Sequence, residues 1–158
     1  MKTPYYVATV VNAYRRAIDG SAPVELLSNE LNAVSHRAYS SGFYYGALRA
    51  APAEPGTMLS DCLFVANVVG DTLDGWTPVR LRNKFSIGDT LEAVTPSALG
   101  IRFRVDAVRN EDGEEVRDAA VPDRVYHIAG DVDLSQGDYL RLRICKSKAR
   151  SQGQDARN

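Results

Sequence analysis

Apolar positions near the start of the chain recur at helical spacing. Thr3 before Pro4 is typical of a helix start, and Gly20 is typical of a helix end. Between them, apolar residues follow three- and four-residue steps, at Val7, Val10, Val11, Tyr14, Ala17 and Ile18. This spacing predicts one amphipathic helix.

A second segment, residues 23–34, repeats the helical spacing. Its apolar face would carry Val24, Leu27, Leu31 and Val34. Ser21 is the candidate N-cap of this second helix. Two helices with one apolar stripe each cannot form a core alone, so we expect both to pack on another part of the protein.

The pattern changes after residue 60 to short apolar or alternating runs separated by Gly, Asp and Pro. These runs predict strands at 62–70, 78–82, 90–94, 101–108, 124–129 and 139–145. Six short strands, with no further long helical segment to cover a sheet, favour a small antiparallel barrel. The predicted fold class is therefore α+β, a short N-terminal helical segment followed by a small, mainly antiparallel β-barrel.

Composition divides the chain into four parts. A helical segment occupies residues 1–46, and an Ala- and Pro-rich connector follows at 47–60. The barrel occupies 61–145. The basic stretch 146–158 has no apolar periodicity and is predicted to be a disordered tail.

Charge and cysteine content limit the function classes. With 19 basic and 20 acidic side chains, no global field directs the chain to nucleic acid or membrane, and we expect neither DNA nor a bilayer as partner. The two cysteines, Cys62 and Cys145, and the lack of an apolar run near membrane-spanning length are typical of a reducing cytoplasmic location.

The residue types needed for catalysis are present but poorly spaced. Ser35 and His36 are adjacent, so their side chains diverge, and Cys62 would meet His127 only through folding. Cys62, Cys145, His36 and His127 do not show the spacing of zinc ligands. We expect no catalytic residue, metal site or cofactor within this chain.

Arginine pairs alternate with apolar residues on three predicted strands. At period two, each pair would face away from its apolar neighbours. If the three strands are neighbours, the pairs and one lysine form an outward stripe for phosphates or an acidic partner, and otherwise they are an ordinary solvated surface. The residues are Arg80, Arg82, Lys84, Arg102, Arg104, Arg141 and Arg143.

The stretch SHRAYSSGFYYG, residues 35–46, concentrates aromatic rings beside a histidine and an arginine. One hypothesis places it at a seam between domains, where Tyr and Arg combine contact area with a polar end. The other places it in a cleft, where the rings stack on a substrate base. The candidate residues are His36, Arg37, Tyr39, Phe43 and Tyr44.

Three segments occur in an order that resembles a known family. KTPYYVATVVNAYRRAID, LNAVSHRAYSSGFYYG and VRLRNKFSIGDTLEAVTP together are similar to the C-terminal portion of the U32 (collagenase-like) peptidases. The resemblance runs from Lys2 to Cys145. It implies that a larger TIM-barrel-type catalytic domain precedes these segments, and that this chain lacks it.

Further expectations follow from the resemblance alone. Helices 1–46 would pack on the missing N-terminal catalytic domain, which holds an iron–sulfur cluster in some relatives. Several family members are linked to hydroxylation of pyrimidines in tRNA or rRNA, so RNA is an implied partner. The implied function is that of an accessory C-terminal domain that aids substrate binding and domain packing. The alternative is a stand-alone β-barrel module that binds a protein partner.

Overall fold

A computed structural model describes residues 3–37, 39, 44, 46, 58–98 and 100–144. Two helices come first, α1 at Pro4–Ile18 and α2 at Val24–Asn32. Both predicted helices are confirmed. Neither helix combines the length and apolar character needed to cross a membrane, in the part of the chain described here.

The ends of α1 follow from its sequence. Thr3 is the N-cap, and its Oγ1 accepts a hydrogen bond from the Tyr6 amide at 3.2 Å. At the other end Gly20 adopts φ +61°, a conformation that favours glycine, and the helix stops at Ile18. The start of α2 differs from the prediction, because Pro23 is its N-cap and no side chain caps it. Ser21 instead donates to the Arg16 carbonyl.

Within the described residues, nine short strands follow the helices. They are β1 Cys62–Val68, β2 Thr77–Leu81, β3 Phe85–Ser86, β4 Thr90–Val94, β5 Ile101–Arg104, β6 Ala107–Arg109, β7 Asp118–Ala119, β8 Val125–Ala129 and β9 Tyr139–Arg143. Seven form one antiparallel sheet in the order β5-β4-β9-β1-β2-β8-β6, and β3 pairs with β7. The predicted α+β class with a small barrel-like sheet is confirmed.

The sheet is curled, and its two edge strands, β5 and β6, follow each other directly in the chain. The prediction of one strand over 101–108 was wrong, since β5 and β6 lie at opposite edges. The link between them changes partners, because the Val105 amide donates to Asp89 and the Asp106 amide donates to Ala129. The end of β5 lies close to the end of β8, since a Cβ on Gly130 would lie 2.5 Å from the Arg104 carbonyl oxygen.

The barrel interior holds the main apolar core. It is built from alternate positions of the strands, including Val65, Val79, Leu81, Phe85, Leu91, Ile128 and Leu140. Two Gly-Asp turns set strand entries, at Gly88 and Asp89 before β4 and at Gly137 and Asp138 before β9. Asp89 accepts the Ser86 amide at 2.8 Å, and Asp138 accepts the Ser135 amide at 2.9 Å.

The helices pack on the outside of this sheet. The Tyr5 ring of α1 stacks on Phe64 of β1, with ring centroids 4.7 Å apart and planes at 4°. Val34, Val94 and the Tyr139 ring complete this second, smaller cluster. Asn12 adds a hydrogen bond of 2.9 Å from its side-chain amide to the Thr95 carbonyl. One face of the helix pair is thereby held against β1, β4 and β9.

Candidate functional site

Beneath α2, two carboxylates and three guanidinium groups form a compact cluster on the outer face of the sheet. Glu92 lies at the centre, on β4, between β5 and β9. Its carboxylate accepts hydrogen bonds from Arg102 of β5 at 3.0 Å, Arg141 of β9 at 2.8 Å and Arg143 of β9 at 2.8 Å. The strand register puts Glu92 directly opposite Arg141 on one side and Arg102 on the other. We call these residues, together with Glu30, the arginine cluster.

Glu30 ties this cluster to the helices. Its carboxylate lies 2.7 Å from Nη2 of Arg141, and the Arg141 side chain has no solvent exposure. A charged guanidinium is tolerated in such a place only when carboxylates compensate it. Arg141 therefore joins α2 to β4 through a single buried side chain.

The ionisation states follow from burial and charge acting against each other. Burial alone would raise the pKa of Glu92, but hydrogen bonds from Arg143 and the charges of Arg141 and Arg143 outweigh it and lower that pKa to about 2. Burial alone would lower the pKa of Arg141, and the hydrogen bond and charge of Glu30 raise it instead. Both groups are therefore charged near neutral pH.

Two neighbours of the cluster are held in their neutral forms. Burial raises the pKa of the Tyr5 hydroxyl to about 12, although the Arg141 charge opposes this effect. Burial also raises the pKa of the Cys62 thiol, against the charges of Arg141 and Arg143. A neutral buried thiol is a poor nucleophile and a poor metal ligand. Among the described residues, no group of three or more His, Cys, Asp and Glu side chains is arranged to hold a metal ion.

Gly100 closes the cluster on its remaining side. Its φ is +48°, and a Cβ there would lie 2.9 Å from Nη2 of Arg141 and 3.4 Å from Oε2 of Glu92. Nη1 of Arg141 is buried without a hydrogen-bond partner in the described structure. The fit around Arg141 is therefore tight, and among the described residues Glu30 and Glu92 compensate its charge.

The three arginine-bearing strands are not all neighbours, so the arginines form two groups and not one stripe. Strands β5 and β9 flank β4, so Arg102, Arg141 and Arg143 come together around Glu92. Strand β2 is separated from β9 by β1, so Arg80 and Arg82 lie apart from them. Arg141 lies on the outer face of the sheet, as alternation predicts, but it is buried, which contradicts its predicted exposure in the stripe.

The remaining basic candidates on the strands are exposed, and two of them form surface ion pairs. Arg82 contacts Asp123 at 2.9 Å, and Lys84 contacts Asp118 at 3.1 Å. Arg80 donates to the Asp123 carbonyl at 3.2 Å, and Arg104 is exposed on β5. Their predicted role in substrate binding stays a prediction.

The aromatic stretch begins at the end of α2. His36 is buried, with Nδ1 2.8 Å from the Val34 carbonyl oxygen, and its ring stacks on Tyr39 at 4.5 Å. The Tyr39 hydroxyl donates to the Leu31 carbonyl at 2.9 Å. His36 also pairs through its backbone with Leu59, which precedes the barrel. These contacts lie where helices and barrel meet.

The other aromatic-stretch candidates differ in placement. Arg37 and Tyr44 are exposed, and Phe43 lies outside the described residues. The connector at 47–57 and the predicted tail also lie outside them. Whether any residue of this stretch binds substrate stays a prediction.

Comparison with known families follows the same division of the chain. The model of the peptidase family U32 C-terminal domain matches residues 60–141, and the model of peptidase family U32 matches residues 1–52. The chain belongs to peptidase family U32. The boundary between the two matches falls between the helices and β1, and the contact between Glu30 and Arg141 crosses it.

Two solved structures are similar to part of this U32 chain. Both are of the C-terminal domain of a Geobacillus thermoleovorans protein described as a U32 peptidase. Its selenomethionine variant is 25% identical and covers 50% of this chain and 98% of its own, with a TM-score of 0.47. The unsubstituted form is 23% identical, covers 52% of this chain and 92% of its own, and has the same TM-score of 0.47. No curated protein matches the chain.

Proposed function

We propose that this chain is the accessory C-terminal part of a U32 peptidase-like protein, which packs on a catalytic domain and aids substrate binding without a catalytic centre of its own. The observation that carries the proposal is a row of large apolar side chains on α1 that faces away from the barrel. Val7, Val11, Tyr14 and Ile18, here called the outer row, are each more than half exposed. Exposed apolar patches of this kind mark interaction surfaces.

The arginine cluster supports a positioning role. Residues 1–52 match one family model and 60–141 match the other, so Glu30 and Arg141 belong to different modules. A buried ion pair between modules fixes their relative orientation, because sliding would leave a charge unpaired. If the outer row binds the catalytic domain, the cluster then fixes the position of the barrel relative to that domain.

The substrate we propose is a pyrimidine-containing RNA, tRNA or rRNA. The support is a set of exposed cations, Arg80, Arg82 and Lys84 on or shortly after β2, with Arg104 on β5. Guanidinium and ammonium groups on an exposed sheet face suit phosphate contacts, which need no deep pocket. The barrel would hold the RNA backbone while another domain carries out the reaction.

The iron–sulfur cluster implied by the family resemblance does not fit the described residues. The described cysteine, Cys62, is buried, and burial raises its pKa, whereas a cluster needs several thiolates. No step is assigned to such a cluster here. In the proposed function its ligands belong to the catalytic domain.

Hydrogen exchange tests the packing role. We expect α1 amides to gain protection when a U32 catalytic domain is added to the chain, whereas Val11→Asp should abolish the gain and Ile87→Asp, on the barrel surface, should not. Unchanged exchange across α1 at saturating domain would contradict the proposal.

An RNA titration tests the substrate role separately. For four phosphate contacts, affinity for a labelled tRNA should fall roughly 100-fold between about 50 mM and about 200 mM salt. Replacing Arg80, Arg82 and Lys84 by alanine should weaken binding and flatten this salt dependence. Arg15→Ala, at an exposed position on α1, is the control. Binding that ignores both salt and the triple substitution would exclude phosphate contact by these residues.

A further inference from the structure

The outer row lies on the side of α1 opposite its packed face. Tyr5, Thr9 and Ala13 are buried against the rest of the protein. The outer row is exposed to 51% at Val7, 55% at Val11, 59% at Tyr14 and 82% at Ile18. The sequence periodicity predicts the apolar character of this row correctly, but the barrel does not cover it.

The spacing of the outer row specifies the shape of what covers it. Its members follow steps of four, three and four residues, which is the a/d spacing of a helix–helix seam. At a rise of about 1.5 Å per residue, the row is about 16 Å long. A second helix inclined by about 20° keeps contact along such a row, whereas a strand or a globular loop does not.

A groove runs beside the outer row, between α1 and the residues at the end of β4. Its volume is about 660 Å³, and it is lined by Val7, Val11 and other residues of α1 on one side and by Val94, Thr95 and Pro96 on the other. Arg15 is the charged residue of this lining. Arg15 is exposed and forms no ion pair with any described residue. In heptad terms Arg15 lies at an e position, where a carboxylate on the partner helix would face it.

A second copy of the chain does not satisfy this charge requirement. Helix α1 carries no Asp or Glu between Pro4 and Ile18. Pairing of two α1 helices would therefore leave Arg15 of each copy without a carboxylate from the other helix. The occupant must supply acidic residues that α1 lacks.

We infer that the outer row and its groove bind a helix from another polypeptide segment, with apolar residues at a/d spacing and a carboxylate opposite Arg15. This inference rests on the proposed function, in which the catalytic domain supplies the helix, and specifies the chemistry of the contact. The occupant is thus an acidic amphipathic helix.

Two designed peptides test this inference directly. Both have three heptads with leucine at a and d, and they carry glutamate or lysine at e and g. By fluorescence anisotropy, the chain should bind the glutamate peptide at least about tenfold more tightly than the lysine peptide. Arg15→Glu should reverse the preference, and Val11→Asp should abolish binding of both peptides. The control is Ile87→Asp, which replaces an exposed apolar residue on the barrel and should change neither the binding of the peptides nor the preference between them.

Several outcomes would overturn the inference. They are equal binding of the two peptides, no binding of either, or a dimer of the chain in sedimentation that Val11→Asp dissolves. Failure of the proposed function looks different. If the glutamate peptide binds as expected while the catalytic domain leaves α1 exchange unchanged, the groove is an acidic-helix site and its assigned source is wrong.

Discussion

Glu30 and Arg141 are 111 positions apart in the chain, and their side chains meet at 2.7 Å in a site that excludes solvent. The contact joins α2 to β9, which lies between β4 and β1 in the sheet. Removing either charge would leave the other buried with less compensation, which costs more than an exposed ion pair contributes. The helices and the barrel are therefore coupled by electrostatics as well as by the Tyr5–Phe64 stack.

Glu30→Gln should destabilise the chain strongly. The substitution keeps an oxygen acceptor but removes the charge that compensates Arg141, and we expect a loss of about 3 kcal/mol in unfolding free energy. Urea unfolding at neutral pH measures it. Glu25→Gln, in the exposed first turn of the same helix, should cost less than about 1 kcal/mol. Equal losses in the two variants would show that Glu30 contributes no more than a surface carboxylate.

The free energy of unfolding should depend on pH through Glu92. The pKa of Glu92 is 4.5 in the unfolded chain and is lowered to about 2 in the folded chain. The stabilisation from this shift is therefore complete above pH 4.5 and is lost as the pH falls from 4.5 to about 2. The contribution is about 3 kcal/mol at neutral pH.

Between pH 4.5 and about pH 2, the free energy of unfolding should accordingly change less in Glu92→Gln than in the parent chain. A carboxyl NMR titration of the unsubstituted chain gives an independent readout, since it does not require the variant to fold. A Glu92 midpoint near 4.5 would refute the charge compensation described for the cluster.

Gly100→Ala should be more damaging than a glycine substitution in an open turn. A Cβ at Gly100 would lie 2.9 Å from Nη2 of Arg141, which Glu30 and Glu92 hold in place. Gly113 also has a positive φ, of +81°, but has nothing within 4 Å of its Cβ position. We expect Gly113→Ala to cost about 1 kcal/mol through backbone strain, and Gly100→Ala to cost roughly 2 kcal/mol more through displacement of Arg141. Thermal unfolding compares the two variants. Similar losses of stability would mean that the arginine cluster rearranges to accommodate the added methyl group without cost.

Local signals in the sequence predict most of the elements. The cap at Thr3 and the helix end at Gly20 depend on neighbouring residues only, and both form as expected. The two-residue strands β3 and β7 were not predicted, because a two-residue pair shows no periodicity.

Long-range pairing explains what the sequence does not reveal about the site. Alternation places Arg141 on the outer face of its strand, and the covering of that face by α2 buries it. Glu30 and Glu92 were missed for the same reason. The available signals were a carboxylate three residues after the buried Leu27, and a glutamate inside an otherwise apolar strand. Both are unusual at buried positions and indicate a partner of opposite charge.

Native-state hydrogen exchange on the monomeric chain tests most directly whether helices and barrel form one unit. We predict that amides of α2 and β9 exchange with similar protection, and that Glu30→Gln lowers protection in α2 at least about tenfold more than in β9. Free exchange across α2 in the unsubstituted chain, beside a fully protected β9, would contradict the coupling through Arg141.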